Sequence, residues 1–404
     1  MRSAAGPVWM IIPTYFPVVG GAQVQVQQLS SALAAQGWPV SILTRRHSYA
    51  HPQGLPGEDR YGGILVRRVF SRGNGKTGSL LFVINGLRFF LRLRTKAIYH
   101  AHDTGAAGWL AVAARYLTGG RCLIKLRTGK VAYKQSLRSR ITRWQFKALL
   151  RLADRVIVVN REVRDYLRSL GIPGERVVWI PNGVDVERFC PASADQKIQA
   201  CEALGLRGAR HIVLYVGRLE YMKGVDVLLR AWCELKPAER AGNVLLLVGD
   251  GPEREALEQM AARFQLGSSV IFTGEQQNVQ AYYQAADLFV LPSRTEGLSN
   301  ALIEAMACGL PVVVSDVGGA KDLVDEGQSG CFFPSEDASA LAGRLGYLLS
   351  IPEAWADYGR AARASVEAKA SLAAVARQLE EVYRHLSESM DYAGASAAAA
   401  PGER

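Results

Sequence analysis

Acidic residues are scarce in the first half of this chain. Residues 1–190 hold 29 Lys/Arg against 9 Asp/Glu, a net of +20, and the remainder holds 19 against 28, a net of −9, which together give +11. One half is therefore suited to face an anionic partner: nucleic acid, an anionic bilayer or an anionic glycolipid acceptor. The six cysteines, Cys122, Cys190, Cys201, Cys233, Cys308 and Cys331, are scattered without a Cys-x-x-Cys pair. They read as buried thiols of a reducing compartment, which excludes a disulfide framework and a cysteine zinc site. The histidines form no metal-ligand cluster, with His47 and His51 in a variable loop and His100 and His102 at a strand end. No apolar run reaches the roughly eighteen residues of a membrane span. Residues 3–44 carry no charge, but Val8–Ile12 followed by Pro13 and a Gly20-Gly21 turn reads as a first strand and its loop, not a signal peptide.

What is present points to a folded α/β protein. A chain of 404 residues, 49% hydrophobic and 21% charged, suits two domains. Strand and helix signals alternate almost throughout, and two βαβ blocks without a fixed-period repeat predict two facing Rossmann-like parallel-sheet domains. The first is expected over 1–190 and the second over 205–355, with Cys190 to Arg207 as a linker containing a short helix. Residues 135–153 read as one long helix, residues 45–76 as a variable region, and Pro311–Ser315 as the strand that closes the second sheet. The Ala-rich stretch 391–404 reads as a disordered tail.

Two glutamates carry the strongest site signal. A short buried strand, Ala286–Pro292, leads into Thr295-Glu296-Gly297-Leu298-Ser299-Asn300, and Ser299 or Asn300 is placed to cap the helix that contains Glu304. A helix N-terminus between two carboxylates suits anionic or hydroxyl-rich ligands. A second signal follows the strand ending at Val216: Gly217 and Gly224 frame Arg218 and Lys223, cations spaced to meet the oxygens of a diphosphate. No Asp-x-Asp metal motif occurs, so these two cations would do what a divalent metal does elsewhere. Gly249-Asp250-Gly251-Pro252 reads as a structural turn.

Together these segments resemble retaining GT-B glycosyltransferases of the family 4, or "glycosyl transferases group 1", type. The resemblance covers nearly the whole chain and is strongest from Val177 to Pro334. It implies a catalytic set of Glu296, Arg218 and Lys223, without a cofactor or a metal. Glu296 with Gly297, Leu298 and Ser299 would hold the transferred sugar, and Glu304 the ribose of the nucleotide. Gly217 would lie beside the diphosphate and Gly20 and Gly21 against the donor phosphate. The loop Phe272–Gln276 would lie beside the base, and helices over 356–390 would pack back on the first domain. Many members carry a histidine near the acceptor face where this chain has Arg127; Arg127 and Asp103 are the polar groups available there. The activity implied is transfer of a hexose from a nucleotide diphosphate sugar to a hydroxyl acceptor.

Basic residues from Arg121 to Lys147 mixed with Trp144 and Phe146, and the apolar, cation-bearing stretch Leu80–Lys96, suit contact with an anionic membrane surface. The resulting expectation is a cytoplasmic enzyme, peripheral at the inner face of the membrane, that acts on a glycan or lipid-linked acceptor and not on nucleic acid. A nucleotide-sugar epimerase and a non-catalytic nucleotide-sugar-binding protein are the rival readings.

Overall fold

The computed structural model describes residues 6–47, 51–72 and 75–398. The chain forms two units, Met1–Gly183 with Leu372–Arg404, and Val184–Ser371.

The first unit begins with β1 (Val8–Ile11), α1 (Gly21–Ala35), β2 (Val40–Arg45), β3 (Glu58–Tyr61) and β4 (Ile64–Val69). It continues with α2 (Gly75–Leu93), β5 (Ile98–Ala101), α3 (Ala106–Thr118), β6 (Arg121–Leu126), α4 (Lys130–Ser136) and α5 (Arg140–Leu152). β7 (Arg155–Val158), α6 (Arg161–Ser169) and β8 (Val177–Trp179) complete the run. The sheet order is β3-β4-β2-β1-β5-β6-β7-β8, parallel except for β3. Its central strands are buried on both faces, which is why they read as unbroken apolar runs. One face packs on α2, α3, α5 and α6, where Phe82, Phe90, Leu110, Leu149 and Val163 share a core. The other packs on α1 and the C-terminal helix (Leu372–Ala398) through Leu29, Leu33, Val375, Leu379 and Tyr383.

Three expectations for this unit need correction. The region 45–76 contains an antiparallel hairpin, because Gly62 and Gly63 both take positive φ (55° and 80°) and reverse the chain in two residues. The helix expected over 135–153 is two helices, α4 and α5; Leu137 turns inward and the Ser139 hydroxyl accepts from Ile141 N (3.2 Å) to start the second. Residues 391–398, expected to be disordered, continue the C-terminal helix, in keeping with the high helix propensity of alanine. Residues 399–404 lie outside the described residues.

The second unit comprises α7 (Ala194–Ala203), β9 (Ile212–Val216), α8 (Val225–Glu234), α9 (Pro237–Arg240), β10 (Val244–Val248) and α10 (Arg254–Arg263). There follow β11 (Val270–Gly274), α11 (Gln280–Ala285), β12 (Leu288–Leu291), α12 (Asn300–Ala307), β13 (Val312–Ser315) and α13 (Ala320–Leu323). β14 (Gly330–Phe333), α14 (Ala338–Leu349) and α15 (Trp355–Lys369) end it. The sheet is wholly parallel in the order β11-β10-β9-β12-β13-β14, so β14, not the strand at 311–315, forms its edge. The segment expected as a linker is built into the unit: Ser193 caps α7, and Lys197 Nζ meets Asp287 Oδ1 at 2.5 Å. α15, expected on the first domain, packs instead on α12, and Arg363 donates to Ala307 O (2.6 Å). The chain joins the first unit only from Leu372.

Tyr383 is fully buried, edge-on to Trp38, with its hydroxyl 2.7 Å from His100 Nδ1. Tyr383→Ala should lower stability by about 3–5 kcal/mol, read by urea denaturation. A variant as stable as wild type would show that the C-terminal helix does not complete this core.

Candidate functional site

Ligands of open parallel sheets bind beyond the carboxyl ends of the strands. β9 ends at Val216 and passes through Gly217, Arg218, Leu219 and Glu220 to a 3-10 turn, Tyr221–Lys223, before α8. Gly224 joins turn to helix at φ 67°, and a Cβ there would come 2.1 Å from Pro292 O. Only glycine lets the turn lie this close to the end of β12. The Gly249–Pro252 turn braces the preceding loop, since Leu219 N donates to Asp250 O and Glu253 N to Leu219 O, each at 2.9 Å.

The glutamate loop meets this turn from the adjacent strand. Lys223 Nζ lies 2.5 Å from Glu296 Oε2, with 22% and 17% of the two side chains exposed. Arg294, only 10% exposed, fixes the approach. It donates to both Asp226 carboxylate oxygens (2.8 Å each), to Glu336 Oε1 (2.7 Å) and to Tyr221 O (2.6 Å), and lies 4.0 Å from the Tyr221 ring centroid. Its own backbone N donates to Met222 O (2.9 Å). Hydrogen bonds to Asp226 hold its pKa above the usual arginine value. Behind the loop, Gly319 N donates to Gly297 O (2.7 Å), and Gly318 at φ 61° leaves no room for a Cβ beside Glu296 O. Leu298 and Ser299 are buried. Arg218 is 71% exposed, 3.5 Å from Glu220, and free to turn to a ligand.

Ser299, rather than Asn300, supplies the cap of α12, accepting from Leu302 N at 3.4 Å. Glu304 lies one turn into that helix and accepts from the Tyr283 hydroxyl at 2.9 Å. Burial raises its pKa to about 7, against the lowering effects of that hydrogen bond and of Arg188. The two glutamates thus differ in kind: Glu296 is paired with a cation, and Glu304 is held near the point of ionisation.

The second unit therefore brings Gly217, Arg218, Lys223, Glu296, Gly297, Leu298, Ser299 and Glu304 to the ends of β9 and β12. Arg294, Tyr283, Gly318 and Gly319 were not foreseen; the Gly-Gly pair after β13 is the one signal that pointed to any of them. In the first unit, Gly20 precedes α1 in an extended conformation open to any residue, and Gly21 is its first residue. Asp103 accepts from Gly105 N at 2.7 Å ahead of α3, and burial raises its pKa. Arg127 follows β6, where its charge bears on Asp103 and His102. Nearby lies a buried group of which the sequence reading placed the histidines at a strand end without a role and took Lys125 for a surface cation. His100 and His102 stack at 4.3 Å and are held well below the usual histidine pKa by burial, and Lys125 is lowered to about 8.

Comparison with known proteins decides the family. Residues 19–188 match Glycosyltransferase Family 4 and residues 197–365 match Glycosyl transferases group 1. The chain is 32% identical over 370 residues to D-inositol 3-phosphate glycosyltransferase 2 of Catenulispora acidiphila, covering 84% of each protein. The chain belongs to the GT-B glycosyltransferases. A GDP-mannose-dependent alpha-(1-6)-phosphatidylinositol monomannoside mannosyltransferase of Mycolicibacterium smegmatis is 36% identical to this glycosyltransferase over 220 residues, 52% of this chain and 57% of that one. Sucrose-phosphate synthase from Thermosynechococcus elongatus superposes with a TM-score of 0.82 at 28% identity, over 95% of this chain and all of that one.

The raised pKa of Glu304 makes a signed prediction. The folded state keeps its proton between about pH 4.5 and 7 while the unfolded state ionises, so stability contributed by this group falls as pH rises through that window, on the order of 3 kcal/mol at most. Glu304→Gln should remove this decline, measured by denaturant unfolding at pH 5 and 7.5. Parallel pH profiles for the two proteins would overturn the assignment.

Proposed function

We propose that this glycosyltransferase moves a hexose from a nucleotide diphosphate sugar to a hydroxyl acceptor, with retention at the anomeric carbon and without a metal or other cofactor. One observation carries the reading: the Lys223–Glu296 contact joins a cation suited to phosphate and a carboxylate suited to sugar hydroxyls at one strand-end edge, in the loop that leads into the helix of Glu304. Lys223 and Arg218 take the two phosphates and stabilise the charge that develops as the diphosphate leaves. Glu296, released from Lys223 by the incoming phosphate, accepts hydrogen bonds from the sugar, and Gly297, Leu298 and Ser299 complete that subsite. Glu304 accepts from the ribose hydroxyls, while Gly20 and Gly21 keep the approach to the donor phosphate clear. The leaving phosphate takes the acceptor proton on the face from which it departs, so the configuration is kept. Asp103 and Arg127 are assigned to the acceptor side.

The acceptor is a glycan or lipid-linked hydroxyl in bacterial cell-surface polysaccharide, lipopolysaccharide or glycolipid assembly, at the inner face of the cytoplasmic membrane. The relative named for phosphatidylinositol monomannoside supports this class, as does the acid-poor first half. A thermal-shift screen of nucleotide diphosphate sugars identifies the donor, which should raise the unfolding temperature in a concentration-dependent way.

With that donor, Lys223→Ala and Glu296→Ala should each lower kcat by about 10²–10³-fold with an unchanged fold. Excess chelator should leave the rate intact, and donor alone should release nucleotide only slowly. Wild-type turnover in either variant, or loss of activity to chelator that Mg²⁺ restores, would remove the assignment.

A further inference from the structure

The two helical layers of the first unit differ in what they show to solvent. α1 carries no charged residue, and among the described side chains none of the exposed large apolar residues lies on α1 or the C-terminal helix. The C-terminal helix balances Arg377 and Arg384 with Glu380, Glu381 and Glu388, whereas the opposite layer shows large apolar residues among cations. Exposed Leu80, Ile84 and Leu91 lie on α2, Trp109 on α3, and Ile141 and Trp144 on α5. α2 packs on α3 and α3 on α5, so these residues belong to one continuous layer. The segment 60–153 that supplies α2, α3 and α5 contains 20 Lys/Arg and a single acid, Asp103, which is engaged with Gly105 N; α6, the fourth helix of the layer, adds Glu162 and Asp165, and Asp154 pairs with Arg115 of α3.

α5 is the most exposed part. Residues 140–145 are all exposed, and Ile141 and Trp144, three residues apart and so on one side of the helix, are each 69% exposed. A groove beside them is lined by Trp109, Leu152, Arg143, Lys147 and Arg151, with no carboxylate. Large exposed apolar side chains set among unpaired-sign cations match the headgroup layer of an anionic bilayer, where indole and aliphatic groups enter the interface and cations meet lipid phosphate. A nucleic acid would use the cations and the tryptophans but gives no role to Leu80, Ile84 and Ile141. α2 contributes only its outer stripe, because Phe82 and Phe90 are committed to the core.

We propose that the α2–α3–α5 face docks this chain on an anionic phospholipid bilayer, with Ile141 and Trp144 as the inserted residues. The proposal deepens the membrane location given above, yet it needs neither donor nor acceptor. The test is flotation of the full chain with phosphatidylcholine vesicles, with or without phosphatidylglycerol, at low and high salt. The chain should float with the anionic vesicles only, and less at high salt. Ile141→Glu with Trp144→Glu should reduce partitioning by about tenfold or more, as should Arg143→Gln with Lys147→Gln. Both variants should keep the wild-type thermal shift with nucleotide diphosphate, which shows that the fold is intact. The docking face is overturned if wild type stays with the soluble fraction, if either variant floats like wild type, or if a duplex oligonucleotide strips the chain from vesicles at equal phosphate. Transfer to a water-soluble acceptor without flotation would sink the docking alone; flotation without transfer would sink the catalytic reading alone.

Discussion

The contact between Lys223 and Glu296 is the constraint around which the second unit's site is arranged. A half-buried ion pair gains Coulomb energy but loses hydration on both sides, so attraction alone does not fix its geometry. The fold does so by backbone means. β12 lies beside β9, with Leu288 opposite Val213 and Phe289 opposite Leu214, which delivers the two loops to one edge. Gly224 lets the Lys223 turn close on Pro292, and Gly318 lets the Glu296 loop close on the end of β13. Arg294 then ties one loop to the other through Asp226, Tyr221 and Met222. Removing either member of the Lys223–Glu296 pair leaves its partner partly buried and unmatched. A phosphate arriving at Lys223, by contrast, offers that cation a second anion and frees the carboxylate.

The segment 60–153 of the first unit, whose single acid is Asp103, shows what a local scarcity of carboxylates does to buried groups. At the ends of β5 and β6, His100, His102 and Lys125 are buried, with Arg127 beside them and only Asp103 to offset the charge. Burial and the neighbouring cations act in the same direction on each base, so the histidines stay neutral and Lys125 loses its proton more readily than a free lysine. The same scarcity acts outward through α2 and α5, whose cations form no ion pair among the described residues, whereas Arg115 of α3 is matched by Asp154. One compositional bias thus has two consequences, an interior cluster of weakened bases and a strongly basic surface.

The parts of this protein that were legible in the sequence are those fixed by local pattern. Unbroken apolar runs such as Val244–Val248 betrayed doubly buried strands, and Gly217, Lys223, Glu296 and Glu304 stood out because each follows such a strand at short range. The α4–α5 break depended on a single buried leucine and a serine cap inside an otherwise helical stretch. β3, at the edge of the sheet, is four residues of alternating exposure and lacks the apolar signal of the core strands. Arg294 was illegible for another reason: it reads as one more cation, and its importance rests on partners 68 and 73 residues away and on Glu336. Tyr283 likewise acquires meaning only when α11 and α12 are packed. Its hydroxyl then becomes the neighbour that sets the environment of Glu304.

The two glutamates show why spacing alone could not assign their roles. Both are carboxylates at one helix start, yet Glu296 has a lysine at 2.5 Å, and Glu304 has a phenol and apolar surroundings. Divergent environments give divergent chemistry. A carboxylate already matched to a cation can exchange that partner for an incoming ligand, which suits the sugar-binding role proposed for Glu296. A carboxyl group held near pKa 7 by burial gains most from a ligand that brings donors to it, because those donors stabilise the ionised form. A vicinal pair of hydroxyls supplies two such donors and a deoxy-sugar only one. On the proposed assignment to ribose, the burial that destabilises ionised Glu304 in the empty site is therefore also the source of selectivity for a ribonucleotide donor.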